Sequence, residues 1–339
     1  MRTFDADWYR VTSAGYVGDN AMAIVNAGSN EILFYNSAGA LARRVGGTGD
    51  GPAEFAQVFR AHVTDSRLVG ALDAGRRRVV LFDSDGALEG SVRLPFVALH
   101  NYTDVYPLPD GTWIAHMARR SPSREMGLRR GRAVFVRISS SGDTIASIAE
   151  VEGNQTFIWW EDTGGGIDMT PPFALHTVST VSREGCLFVG TADSFEIDVY
   201  DVWTGLRRSV RLLGVDQSLE SAEWDSRIAA IRERNREHHG EFSALSHIPR
   251  PSKTPAYTNI VAGEDGSIWV RPYRGDGNGR GGWWVFRATG RLVMWVSQPD
   301  ERPTGLLAVG KEGRIVVRQV NDLGVETIAE YRVVGSSQH

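Results

Sequence analysis

The chain has 339 residues, 42% of them hydrophobic and 23% charged, an ordinary globular composition with ample material for a core. A net charge of −4 excludes a global basic field that would recruit nucleic acid or an anionic membrane surface. A single cysteine, Cys186, excludes an intrachain disulfide and a Cys-rich zinc site, and no apolar run reaches the roughly 18 residues of a membrane span.

The opening MRTFDADWYR lacks the apolar stretch of a signal peptide, so the protein is either cytoplasmic or exported with its leader removed. The first strand pair is then AMAIVN (21–26) followed by EILFYNSAG (31–39). The second phrase is a short β-prone run, polar residues and a glycine, which reads as a strand entering a tight hairpin turn. It returns as RVVLFDSDG (78–86), AVFVRISSSG (133–142), EIDVYDVWTG (196–205) and WWVFRATG (283–290), and more loosely as VETIAEYRVVG (325–335). An apolar strand precedes each copy: RLVGALD, TWIAHMA, CLFVGTA, SIWVRPY and RIVVRQV. A further strand closed by a turn precedes most of those, as in DVYPLPDG and LLAVGKEG, and a strand after the glycine supplies a fourth.

Six antiparallel four-stranded units in tandem predict an all-β, six-bladed β-propeller occupying 1–339 as one domain. The expected blades are 8–47, 57–95, 102–152, 176–214, 257–298 and 304–335, with the strand that completes the sixth left open. Strands a to d run from the axis outward. The a–b and c–d turns are uniformly short, whereas the b–c loops (118–132 and 271–282) and the d–a connections (46–57, 95–101, 151–175 and 214–256) are long. All the long segments fall on one face, around one mouth of the central channel, which is where binding and catalysis usually sit. Residues 216–245 carry the one helical pattern, with Trp224, Ile228 and Ile231 in a single stripe, and predict a helical lid inserted between blades 4 and 5.

GGTGDGPAEF (46–55) has no lysine and no following helix, so it is a blade connector rather than a phosphate loop. With AGRRRVVLFDSDG after it, this stretch resembles the G-x-x-G-x-G-P-G-E-F link of bacterial six-bladed propellers related to NHL repeats, Ala53 replacing a glycine. TPAYTNIVAGEDGSIWVRPY (254–273) and NDLGVETIAEYRVV (321–334) resemble later segments of the same family. The resemblance implies the fold and an extracytoplasmic location. It implies no reaction, since most members have no assigned function.

Candidate site residues follow from the strand-a entries, which radial symmetry brings together. His100, Asn101, Tyr102, His176, Tyr257 and Gln57 stand there, and Arg119, Arg120, Arg274, Trp159 and Trp160 would form a rim for charge selection and stacking. His100 and His176 suit a divalent metal or a general base, because imidazole ligates zinc-like ions and titrates near neutrality. The same residues could equally line a hydrated channel. Asp50, Glu54, Glu161, Asp162 and Asp168 are the acids that an acid–base pair could draw on. Two functions are expected from these features. One is binding of an acidic glycan, peptide or other small molecule by a monomer at the long-loop face. The other is metal-assisted hydrolase or lyase chemistry, lactonase-like or lyase-like, at the channel mouth.

Overall fold

A computed structural model describes residues 1–18, 20–64, 67–119, 125–160, 166–239, 243–275, 281–299 and 304–334, without the side chains of 234–239 and 243. A short strand, β1 (Arg2–Phe4), comes first. Blade 1 is β2 (Val11–Val17), β3 (Ala21–Asn26), β4 (Glu31–Tyr35) and β5 (Leu41–Gly46), and blade 2 is β6 (Val58–Val63), β7 (Val69–Asp73), β8 (Arg78–Phe82) and β9 (Leu88–Arg93). Blade 3 has five strands: β10 (His100–Pro107), β11 (Trp113–Arg119), β12 (Gly127–Ile138), β13 (Thr144–Trp160) and β14 (Gly166–Met169). Blade 4 is β15 (Val178–Val181), β16 (Cys186–Gly190), β17 (Glu196–Asp201) and β18 (Arg207–Arg211), followed by the helix α1 (Ser221–His239). Blade 5 is β19 (Tyr257–Ala262), β20 (Ser267–Pro272), β21 (Gly282–Arg287) and β22 (Leu292–Ser297). Blade 6 is β23 (Thr304–Val309), β24 (Arg314–Val320) and β25 (Glu326–Arg332), completed by β1 pairing antiparallel with β25. The sixth blade therefore takes its outer strand from the N-terminus, and this closes the ring.

The core is divided into six wedges, one at each blade junction. Val25, Phe34 and Phe55 meet Val69 and Val80 between blades 1 and 2. Phe4, Tyr16, Ile24 and Tyr35 meet Val316 and Ile328 where blade 6 returns to blade 1. Both faces of most blades are covered in this way, so strands such as β7 read as uninterrupted apolar runs instead of alternating. The outward c–d hairpins pack too. At Gly142, φ is 94°, and a Cβ there would stand 1.9 Å from the Arg93 carbonyl of the neighbouring blade.

The 46–55 connector divides its glycines between two tasks. Gly46 and Gly47 have φ near +100°, which turns the chain from the rim of blade 1 toward the axis. Gly49 instead leaves space for the Glu54 carboxylate, which accepts a hydrogen bond from the Gly51 amide at 2.7 Å. Arg78 donates to the Glu54 carbonyl at 2.5 Å.

Blade 3 departs from expectation. Residues 127–132 and 151–160, expected as parts of loops, pair with each other in register, Leu128 opposite Phe157 and Arg130 opposite Gln155, and β14 adds to that extension. The run TFIWW is aromatic and β-branched, so it prolongs β13 once a partner strand is available. The extension carries its own apolar cluster of Phe157, Trp159, Ile167 and Met169 with Ala244, Leu245 and Ile248. Trp224 and Ile231 of α1 pack against this cluster. Arg274 of blade 5 ties down the first turn of α1 through Glu223, at 2.6 Å.

Candidate functional site

The inner strands β2, β6, β15, β19 and β23, with the end of β10, enclose a cavity of about 720 Å³ on the propeller axis. Its wall runs from Thr12, Thr258 and Thr304 near the strand entries to Ser182, Glu264 and Val309 at the trimmed face. Among the described residues, none of α1 lines it.

Around this cavity, neighbouring blades are joined by hydrogen bonds between axial groups. Ser13 Oγ accepts from the Ala61 amide at 3.0 Å, and Thr180 Oγ1 accepts from the Ala262 amide at 3.2 Å. The Tyr106 hydroxyl lies 2.9 Å from both the carbonyl and Oγ of Ser179. Glu264 N donates to the Val309 carbonyl at 3.1 Å, and Arg318 donates to the Val11 carbonyl at 2.8 Å. Blades 2 and 3 are joined by ionisable groups: His62 Nε2 lies 2.7 Å from Asp104 Oδ1, and Arg60 stands 3.5 Å from Oδ2. Asp104 is buried, and His62 and Arg60 hold its carboxyl well below the usual carboxylate range against the opposing effect of burial. Next to it, His116 is buried against Phe135, with ring centroids 4.4 Å apart, and Ser179 Oγ lies 3.2 Å from its Nδ1. Burial pushes the His116 imidazole down to about 4, so it is neutral at pH 7.

Among the described residues, four arginines and one glutamate contribute to the cavity wall. Arg183 is paired with Glu264 at 2.7 Å, and Arg318 with Glu326 at 3.4 Å. Arg271 is half-buried, and among the described residues its guanidinium meets only Gln298 Oε1 at 3.4 Å and the face of Trp283 at 5.8 Å. Its pKa is lowered by burial.

The residues expected at the site are not drawn together in the cavity. The Tyr102 hydroxyl donates to the Pro95 carbonyl at 2.8 Å, and burial pushes it up to about 12. The Tyr257 hydroxyl donates to Glu196 O at 2.7 Å and accepts from Ala192 N, fixing blade 5 to blade 4. His100 keeps Nδ1 on the Ala98 carbonyl at 2.8 Å, and His176 is half-buried with its pKa lowered by burial and by Arg130. None of these four lines the cavity. A side chain at a strand entry can turn into a blade junction as readily as toward the axis, and here the aromatic ones do so. Gln57 and Asn101 are exposed, and neither lines the cavity. Trp159 stacks on His247 at 3.7 Å inside the blade 3 extension, Trp160 is partly exposed beside Gly166, and Arg119 stands 3.9 Å from Glu150. Arg274 is engaged with α1, and Arg120, Glu161 and Asp162 lie outside the described residues. Among the described residues no group of three or more His, Cys, Asp or Glu side chains is placed to hold a metal. Sequence reasoning singled out neither Arg60, Asp104 nor Ser179. The available signal was polar residues inside otherwise apolar inner strands.

This architecture defines a six-bladed β-propeller with an axial cavity. Residues 15–158 match a family model described as a 6-bladed beta-propeller, in keeping with the resemblance carried by the connector motif. No curated protein gives a significant sequence match. Among solved structures, a Bacteroides fragilis protein whose name describes it as exported matches with a TM-score of 0.59 at 12% identity, over 98% of this chain and 94% of that one. A member of the duf4221 family from Bacteroides vulgatus matches with a TM-score of 0.55 at 14% identity, over 98% and 96%. A gluconolactonase from Xanthomonas campestris matches with a TM-score of 0.51 at 13% identity, over 97% and 87%. At such identities the likeness extends to the fold. Among the described residues no helix is long and apolar enough to cross a membrane.

Proposed function

We propose that this protein is a ligand-binding propeller whose site is the axial cavity, entered from the face that carries the long connections. The observation that carries this reading is the cavity itself. Its volume, about 720 Å³, lies within the usual range of roughly 300–1,000 Å³ for small-molecule sites, and all six blades contribute to its wall. Rigid inner strands, not loops, hold the polar groups that would fix a ligand's orientation. The test is thermal unfolding in the presence of small polar metabolites, comparing the wild type with Gly305→Trp. Gly305 lines the cavity, and the nearest described atoms to a Cβ there belong to Arg318, at 3.8 Å. An indole at that position should obstruct the channel and abolish the stabilisation. Equal stabilisation of the variant would refute the reading.

A second, enzymatic reading draws on the His62–Asp104 pair, because His62 lines the same cavity and its carboxylate partner is buried behind it. This is the usual arrangement for orienting a general base. A metal-assisted version through His100 and His176 has less support, since neither reaches the cavity wall.

A further inference from the structure

The charge around the cavity is not balanced. Arg183 and Arg318 have carboxylate partners within 3.4 Å, and Arg60 shares Asp104 with His62. Arg271 differs from these three: among the described residues no carboxylate approaches its guanidinium, and only Gln298 and the Trp283 ring support it. Drawing a guanidinium even partly out of water without a counter-charge is unfavourable, and a fold tolerates that where a ligand supplies the missing charge. The side chain is also held in place. Trp283 carries its face, Gln298 occupies one of its donors, and the remaining donors form a planar fork matched to a carboxylate.

A second group on the same wall is unsatisfied. Thr12 Oγ1 is buried and has no hydrogen-bond partner among the described residues. Ser13 and Thr180 accept hydrogen bonds from peptide amides, which leaves each hydroxyl proton available to donate. Besides a guanidinium without a carboxylate partner among the described residues, the wall therefore offers hydroxyl groups that suit the hydroxyls of a ligand.

We propose that the ligand of this channel is a small hydroxylated carboxylate, its carboxyl group paired with Arg271 and its hydroxyls facing Thr12 and the neighbouring threonine and serine side chains. The inference rests on the axial cavity being the binding site. One guanidinium without a counter-charge among the described residues matches one negative charge, which favours a carboxylate over a phosphate dianion.

Thermal unfolding tests this with sodium glycolate, glycerate, gluconate and glucuronate, each against sodium chloride at equal ionic strength. Ethylene glycol, glycerol, sorbitol and glucose serve as neutral counterparts, and sodium phosphate as the competing anion. At least one carboxylate should raise Tm in a saturable way, while its neutral counterpart has no such effect. Arg271→Gln should weaken the apparent affinity at least tenfold, and Arg271→Lys, which keeps the charge and loses the fork, should fall between the two. Persistence of the stabilisation in Arg271→Gln, stronger stabilisation by phosphate, or no response to any of the four carboxylates would each overturn the proposal. Saturable stabilisation by a neutral compound that Gly305→Trp abolishes would also overturn it, while leaving the channel as the binding site.

Discussion

The buried imidazole of His116 makes stability fall as the pH drops from neutrality, and the size of the effect follows from its surroundings. His116 is neutral in the fold because burial pushes its pKa down to about 4, whereas in the unfolded chain it titrates near 6.5. Between those two values the unfolded state binds the extra proton. Stability contributed by the neutral form is thus fully present above about 6.5 and is lost progressively toward 4. Taking the two pKa values, acidification from pH 7.5 to 5 costs about 2 kcal/mol from this residue. His176, whose pKa burial also lowers, adds in the same direction. Asp104 acts in a separate window: its carboxyl is held low, so its contribution is lost only below about pH 4. The assay is urea unfolding followed by tryptophan fluorescence at pH 7.5 and 5. With an m-value of roughly 3 kcal/mol/M, the His116 contribution corresponds to about 0.7 M in the midpoint. His116→Gln retains a hydrogen-bonding group for Ser179 and removes the titration, so its midpoint should shift less than that of the wild type by about this amount. An identical pH dependence in the variant would show that the imidazole is not the group taking up the proton.

Ring closure should depend on the short N-terminal strand. Phe4 is 2% exposed and meets Tyr35 edge-on at 5.0 Å, so Phe4→Ala should cost about 3–5 kcal/mol in urea unfolding, whereas replacement of the exposed Leu323 should leave the midpoint unchanged. The blade 3 extension and α1 should come apart together. Phe157→Ala should increase hydrogen exchange in both 151–160 and 221–233 while leaving the inner strands protected, and protection retained in α1 would contradict the packing seen around Phe157.

The blade repeat was legible because hairpin chemistry is local. EILFYNSAG and RVVLFDSDG each place a strand and its turn within nine residues, and both fold as read. Local pattern could not reveal the outer strand of blade 6, because Arg2–Phe4 pairs with residues more than 320 positions away. The extension of blade 3 was missed for a related reason. Arginine-rich GLRRGR reads as a loop on its own and becomes a strand because it lies opposite an aromatic run beyond the next turn. At the site, the strand-entry rule located the axis but not the residues facing it. Bulges near the entries of β2, β6, β10 and β19 shift the alternation, and aromatic side chains gain more from a blade junction than from a hydrated channel.

The seam where the ring closes also forms part of the cavity wall, so closure and ligand binding share groups. Arg318 lines the cavity and donates across the seam to the Val11 carbonyl, while Glu326 beside it accepts from the Val11 amide at 2.8 Å. Thr12, whose hydroxyl has no partner among the described residues, is the next residue along, and β1 is held to the far side of the same blade by Arg2 and Glu330 at 2.9 Å. A molecule that reaches both Arg271 in blade 5 and Thr12 in blade 1 spans blade 6 and bridges the seam. Such a molecule binds only the closed ring, so each tenfold excess of its concentration over Kd adds about 1.4 kcal/mol to closure. The joint that closes the ring is therefore also a place where an axial ligand would add to stability.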